Sequence, residues 1–483
     1  MNDSTKLGFS ILGAAALMGL LADSLLKVGP WGLNLLLWMG ALLACIGILT
    51  RWQRIPLEGE GRWLLIAVLL FAAAVAWRDS VTLKVFDVFA ILIAVGLACV
   101  RSRTGQIRLA GIADYLLGLL FAGLNGLFGT ILLVFQDIRW RELPRAGWMT
   151  HAGAVGRGLL IAIPLLFLFG GLFMAADASF EHSVQHLFRF NADALFESSF
   201  VIGFAGWIVG GTLRRLFQSQ ETVKTGGMGT IGKPTLGIVE MGMVLGLLDL
   251  LFLAFVCSQM RYFFGGQAHV LAIPGLTAAD YARRGFFELV TVATLALPLL
   301  LLADWLLRKE SLKIERLFRA LAGAMILLLF VIMGSALQRM LLYHVGYGLT
   351  ELRFYTTAFM GWLAVVFVWF ALTVLRGRRE RFIFGAMMTG FITLALLHAL
   401  NPDGFIVRAN VARIRAGRTF DAGYASQLSA DAIPDLIQAL PRISPDEHEM
   451  VLEYLKTHYP VTSWRTWSLS RAIAQRALNR PLR

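Results

Sequence analysis

From Gly285 to Leu302 the chain is apolar apart from Glu288, Thr291 and Thr294. At about 1.5 Å of rise per residue the run is long enough to cross a hydrocarbon core of about 30 Å, so it reads as a membrane span and confines the chain to membrane architectures. Thr277 with Asp280 three residues on reads as a capping box that starts the helix outside the hydrocarbon, and Arg308 and Lys309 close the other end. Pro298 is expected to kink the helix and free the carbonyl of Thr294.

Composition points the same way. Hydrophobic residues make up 57% of the 483, charged residues only 16%, with 34 Phe and 13 Trp. That lies outside the range of soluble domains. A net charge of +13 would suit a polyanion. The arginines, however, come in short clusters beside apolar segments, as topology signals do, so nucleic-acid binding is not expected. Cys45, Cys99 and Cys257 each stand alone in a different apolar segment, which supports neither a disulfide framework nor a thiolate metal site.

Spans are expected at about 7–26, 31–49, 63–77, 82–100, 158–176, 198–216, 235–258, 285–307, 317–337, 354–375 and 382–400, eleven crossings of an all-α polytopic transmembrane helix bundle. Arg51, Arg54 and Arg62 form one basic cluster and Arg101, Arg103 and Arg108 another, with only Arg78, Asp79 and Lys84 between them. This alternation sets a cytoplasmic N-terminus. The apolar segment 110–135 is basic on both flanks, with Arg139, Arg141, Arg145 and Arg157 following it. A crossing there would put one cluster outside and exchange the sides of every later loop, against the positive-inside rule. It also holds Asp114, Asn125 and five glycines, and reads as a re-entrant or interfacial hairpin.

The expected organisation is therefore a four-span region 1–109, the re-entrant segment and its basic cytoplasmic loop 110–157, a seven-span core 158–403 and a soluble helical tail 404–483. The polar, glycine-rich stretch Gln218–Gly232 reads as a linker between two membrane halves. In the tail, Ser429–Leu440 and Asp446–His458 read as capped helices, and the topology places them outside the cytoplasm.

Ionisable groups inside hydrocarbon cost roughly 2.5–3.5 kcal/mol each on insertion scales, so those present should face the bundle interior. Asp249 follows Gly242 and Gly246, a GxxxG pair on the same helix face, where another backbone is expected to approach closely. Glu288 enters the next span from the opposite direction, and Arg261, Arg283 and Arg284 on the connection are the natural cations for both. The candidate polar site is Asp249, Glu288, Arg283, Arg284 and Tyr281, joined by Arg339, Glu351 and Arg353 from the next outward loop. The plainer reading of the same residues is ion pairing that fixes helix register. Glu240, Asp304 and Asp87 lie nearer the interfaces, and His398 reads as a hydrogen-bonded core residue.

His182 and His186 have the spacing to bind a divalent metal only if a third ligand arrives, and Ser183 in place of glutamate excludes the HExxH chemistry. With no P-loop, Rossmann glycine set or GxSxG elbow in a fitting context, no catalytic residue and no cofactor is expected.

The runs GLTAADYARRGFFEL (275–289), YGLTELR (347–353) and LRGRRERF (375–382), with the NPD that opens the tail, resemble a family of bacterial integral-membrane proteins catalogued as a domain of unknown function. The resemblance covers roughly residues 110–440. It implies a multi-pass protein of the bacterial inner membrane and carries over no catalytic residue.

Three functional readings follow. The first is a protein that binds or transports a small solute through an outward polar site, for which a kinked span, a glycine-rich re-entrant segment and buried carboxylates are the usual materials. The second is a non-catalytic sensor or scaffold whose tail, with Trp464 and Trp467, engages an envelope protein. The third, a transferase acting on a lipid-linked substrate, ranks last because the first outward loop, Lys27–Pro30, is too short for an acidic motif.

Overall fold

The computed structural model describes residues 2–54, 61–101, 112–140, 192–217, 236–270, 286–308, 311–415, 417–458 and 463–479, with scattered positions between 158 and 177. The described residues are helical throughout, apart from turns and one isolated bridge between Leu236 and Leu307. Ten helices among them are long and apolar enough to cross a membrane. The chain divides into two compact units. The first holds Met1–Ile107, Ala113–Val223 and Val461–Ala472, the second Arg108–Ile112, Lys224–Pro460 and Ile473–Arg483. The division at 223/224 falls inside the glycine-rich stretch 218–232. The span expected at 158–176 lies largely outside the described residues.

The first unit contains α1 (Asp3–Leu26), α2 (Leu33–Trp52), α3 (Gly61–Trp77), α4 (Val81–Arg101), α5 (Ile112–Leu132) and α6 (Ala192–Phe217). Leu20, Ile48, Leu70 and Leu92 all stand exposed on it, as a lipid-facing surface allows. In lipid, leucine against leucine gains little, so helices associate where small residues let backbones meet. The antiparallel pair α1 and α6 does this: Gly19 lies against the carbonyl of Ile202, and a Cβ on Gly206 would come within 2.9 Å of the Ala15 carbonyl. Ion pairs mark the two ends of the pair, Lys27 with Glu197 (3.2 Å) at one and Arg214 with Asp137 (2.5 Å) at the other. The buried Asn34 fixes the α1–α2 turn by accepting from the Gly32 N–H and donating to the carbonyls of Leu25 and Val28.

The hairpin expected over 110–135 is instead one helix, α5, prolonged by a π turn at Leu133–Asp137. Its direction is unusual. Leu119 lies against Gly96 near the C-terminal end of α4, Gly129 against Gly211 near that of α6, and Asp137 pairs with Arg214. Cys99 and Thr212 place α4 and α6 at one level. From Leu119 to Asp137 the axis covers about 27 Å, while its contacts climb only about 8 Å along α6. The helix therefore runs obliquely across the end of the unit that carries Asp137 and Arg214.

The second unit contains α7 (Ile238–Val270), α8 (Phe286–Leu306), α9 (Leu312–Tyr347), α10 (Glu351–Thr373) and α11 (Phe382–Leu400), followed by the tail helices α12 (Pro402–Ile414), α13 (Ala422–Ser426), α14 (Ile433–Ala439) and α15 (Pro445–His458). A last helix, α16, spans Leu469–Leu478. Helix α8 continues through Pro298 without a break. Ser311 caps α9 by accepting from the Ile314 N–H. Helices α7 and α9, of 33 and 36 residues, are longer than the expected spans. At about 50 and 54 Å they exceed a hydrocarbon core by several turns.

The tail is not a detached appendage. Leu349, in the α9–α10 turn, belongs to the same hydrophobic core as Ile406, Val407, Leu436 and Val451, and Phe354 packs against it. Residues 461–472, moreover, group with the first unit. Tail sequence that reads as soluble carries apolar residues at helical spacing, and it packs them against the α9–α10 turn.

Candidate functional site

The densest polar arrangement in the second unit forms where YGLTELR meets the start of the tail. Helix α9 ends at Gly348, whose φ of 83° suits glycine; a Cβ there would also sit 2.6 Å from an Arg413 nitrogen and 2.8 Å from Asn410 Oδ1. Arg413 reaches back from α12 to donate to the carbonyls of Gly346 (2.8 Å) and Val345 (3.2 Å), satisfying groups that the end of α9 leaves open. Asn410, three residues earlier on the same helix, accepts from the Leu349 N–H (2.7 Å) and donates to the Leu349 carbonyl (2.9 Å). Arg353 donates to the Gly348 carbonyl (2.6 Å) and lays its guanidinium 4.1 Å from the Tyr343 ring centre. The Glu351 N–H donates to the Tyr424 hydroxyl (2.8 Å).

NPD builds the other wall. Asn401 adopts the left-handed conformation, caps α12 by accepting from the Gly404 N–H, and donates to the Asp431 carbonyl (3.0 Å). Pro402 then takes the first helical position, where its missing N–H costs nothing. Asp403 is fully buried and accepts from both the hydroxyl and the N–H of Ser429, while its Oδ1 has no hydrogen-bond partner. Burial, with the nearby carboxylates Glu351 and Asp431, pushes its carboxyl up to about 7 against the pull of Ser429. Burial likewise raises the Tyr424 hydroxyl, and it raises Asp435 although Arg408 donates to that carboxylate at 2.7 Å.

The residues singled out from sequence separate into several places. Glu351 and Arg353 lie in the cluster just described. Arg339 is buried and donates to Gln259 (2.7 Å), beside Ser335. Glu288 is exposed in the first turn of α8. Asp249 is half-buried, and among the described residues neither of its carboxylate oxygens has a hydrogen-bond partner. Tyr281, Arg283, Arg284, His182 and His186 lie outside the described residues, as does the side chain of Arg261.

The close helix approach expected at Gly242 and Gly246 is not made: among the described residues, a Cβ at either glycine would meet nothing within 4 Å. A glycine pair permits such an approach without dictating which helix makes it. Asp87, Asp304 and His398 are buried. Among the described residues no group of three or more metal-ligating side chains is placed to hold an ion.

Sequence reasoning missed Asp403, Asn410, Arg413, Tyr424 and Ser429. The one signal was NPD itself, noted as a motif but not as a partner for YGLTELR. Most of the polar atoms gathered here are engaged in fixing the turn against the tail. The arrangement holds a surface in place.

Spanning helices with a helical head built onto one end of the bundle define a polytopic membrane protein. A family model for a domain of unknown function, DUF4153, matches residues 65–439, and the chain belongs to that family. The match takes in both YGLTELR and NPD. No curated protein and no solved structure matches the chain.

Proposed function

We propose that the protein is a non-enzymatic platform of a bacterial inner membrane, with its N-terminus in the cytoplasm and a head, built from the α9–α10 turn and the tail, outside it. The observation that carries this reading is the two-way hydrogen bonding between Asn410 and Leu349, with Arg413 on the end of α9, which ties the head to the turn between two membrane helices. Orientation follows from charge: Arg308–Arg319 and Arg376–Arg381 lie at the opposite ends of these helices from the head.

The head presents Asp446, Glu449, Met450 and Glu453 exposed on α15, three carboxylates around one apolar residue, with Lys456 exposed in the last turn. A basic surface of an envelope protein is the partner that such a group fits. The alternative, solute binding in the membrane, is favoured by one observation, the unpartnered carboxylate of Asp249.

Complementation of a deletion strain separates the two. Met450→Arg should lose the phenotype at normal protein level while Asp249→Asn keeps it. The opposite pattern would overturn the platform reading in favour of the solute site. Reporter fusions after Leu400 should be active as alkaline phosphatase and dark as a cytoplasmic fluorophore.

A further inference from the structure

The stretch Ser463–Ser470 is built inside out. Trp464, Trp467 and Leu469 are 58%, 38% and 41% exposed, while Thr466, Ser468 and Ser470 between them are 6%, 0% and 5% exposed. A surface in water is organised the other way, with tryptophan covered and serine wet. The burial is secured by hydrogen bonds within the first unit. The Leu33 N–H donates to the Trp467 carbonyl (2.8 Å), Gly32 lies directly against that carbonyl, and the Ser470 hydroxyl donates to the Trp77 carbonyl (2.9 Å).

Arg471 then donates to Asp79 (3.0 Å), which also accepts from the buried Lys84 (2.6 Å). These anchor points are the α1–α2 and α3–α4 turns, where membrane helices leave the hydrocarbon. Each turn already carries an exposed tryptophan of its own, Trp31 and Trp77, both 41% exposed.

We propose that Ser463–Ser470 is an interfacial lipid-binding segment, with Trp464, Trp467 and Leu469 seated among the headgroups and upper acyl carbons of the bilayer. Three arguments choose lipid as the occupant. The segment meets the start of α2 at Gly32 and Leu33, and α2 and α3 expose Leu37, Ile66 and Leu70, as lipid-facing helices do. Tryptophan is the residue that a membrane interface favours, because its ring is apolar and its N–H wants a polar neighbour. Arg465, stacked over the Trp464 ring at 5.6 Å, brings a cation to the level of anionic headgroups. The segment is too short and too polar to register in any hydropathy window, so the burial pattern is what reveals it.

The test uses the full chain with Cys45, Cys99 and Cys257 replaced by alanine, reconstituted in vesicles of phosphatidylethanolamine and phosphatidylglycerol. Nitroxide labels on Trp464→Cys, Trp467→Cys and Leu469→Cys should be reached more readily by oxygen, which partitions into lipid, than by a water-soluble nickel chelate. A label on Met450→Cys, exposed on the head, should show the reverse. Greater access of nickel than oxygen at 464, 467 and 469 would overturn the proposal, and so would low access of both, which means that protein rather than lipid covers the patch. In unsubstituted protein, hydroxyl-radical footprinting gives a second measurement. Trp464 and Trp467 should be protected in vesicles relative to the unfolded chain, and labelling at the unfolded rate would equally overturn it.

Discussion

Asn410 and Leu349, sixty-one positions apart, are joined by two hydrogen bonds, the side-chain amide accepting from and donating to one residue's backbone as a neighbouring strand would. The pairing closes the α9–α10 turn onto the tail.

Replacing Asn410 by alanine strands the N–H and carbonyl of Leu349 at once. Each buried group left unsatisfied costs about 1–3 kcal/mol. Thermal unfolding in detergent should therefore show a clear fall in midpoint. Asn410→Asp, which keeps the acceptor and loses the donor, should fall between that variant and the original. Equal stability of all three would mean that water replaces the amide.

Gly348→Ala places a side chain at positive φ and against Arg413 and Asn410. Strain of this kind costs on the order of 1–3 kcal/mol. The variant should unfold at a lower temperature than the original, while alanine at Gly346, where the added Cβ meets nothing, should be mild by comparison.

Asp403 makes the head sensitive to pH. Its folded carboxyl titrates at about 7, against about 3.9 in an unfolded chain. Between those values the unfolded state loses a proton that the folded state keeps, so this contribution to stability is full at the acid end and declines as pH rises through about 7. Unfolding midpoints should drop from mildly acidic to mildly alkaline buffer. Asp403→Asn, neutral at every pH, should remove most of the slope, and an unchanged slope would assign it to other groups.

Deleting residues 404–483 should destabilise what remains. It uncovers Leu349 and Phe354, frees the carbonyls of Val345 and Gly346, and takes Arg471 from Asp79. Size-exclusion chromatography in detergent should show aggregation or a lowered unfolding temperature, and a monodisperse product of unchanged stability would show that the bundle is self-sufficient.

The spanning helices were legible because each is a long run in which nearly every residue agrees, so missing one polar residue changes nothing. The form of 110–135 was not legible: a hairpin and a single helix share the same apolar composition and the same flanking charges, and the structure makes it one helix prolonged by a π turn to Asp137. The junction of turn and tail was not legible. Asn410 and Arg413 are ordinary polar residues on a short helix, and only the fold brings them to Leu349 and Gly346. Gly242 and Gly246 meet no other helix closely among the described residues, because a small-residue pair permits a close approach without requiring one.

Helix α9 has one more consequence. Beyond its apolar stretch the portion from Gln338 to Tyr347 rises about 15 Å before reaching the turn at Gly348. It works as a mast stepped in the bilayer, with the head lashed to its top by Arg413. Bilayers of different thickness change helix tilt, and over the full 54 Å a change of about 10° swings the masthead sideways by about 9 Å.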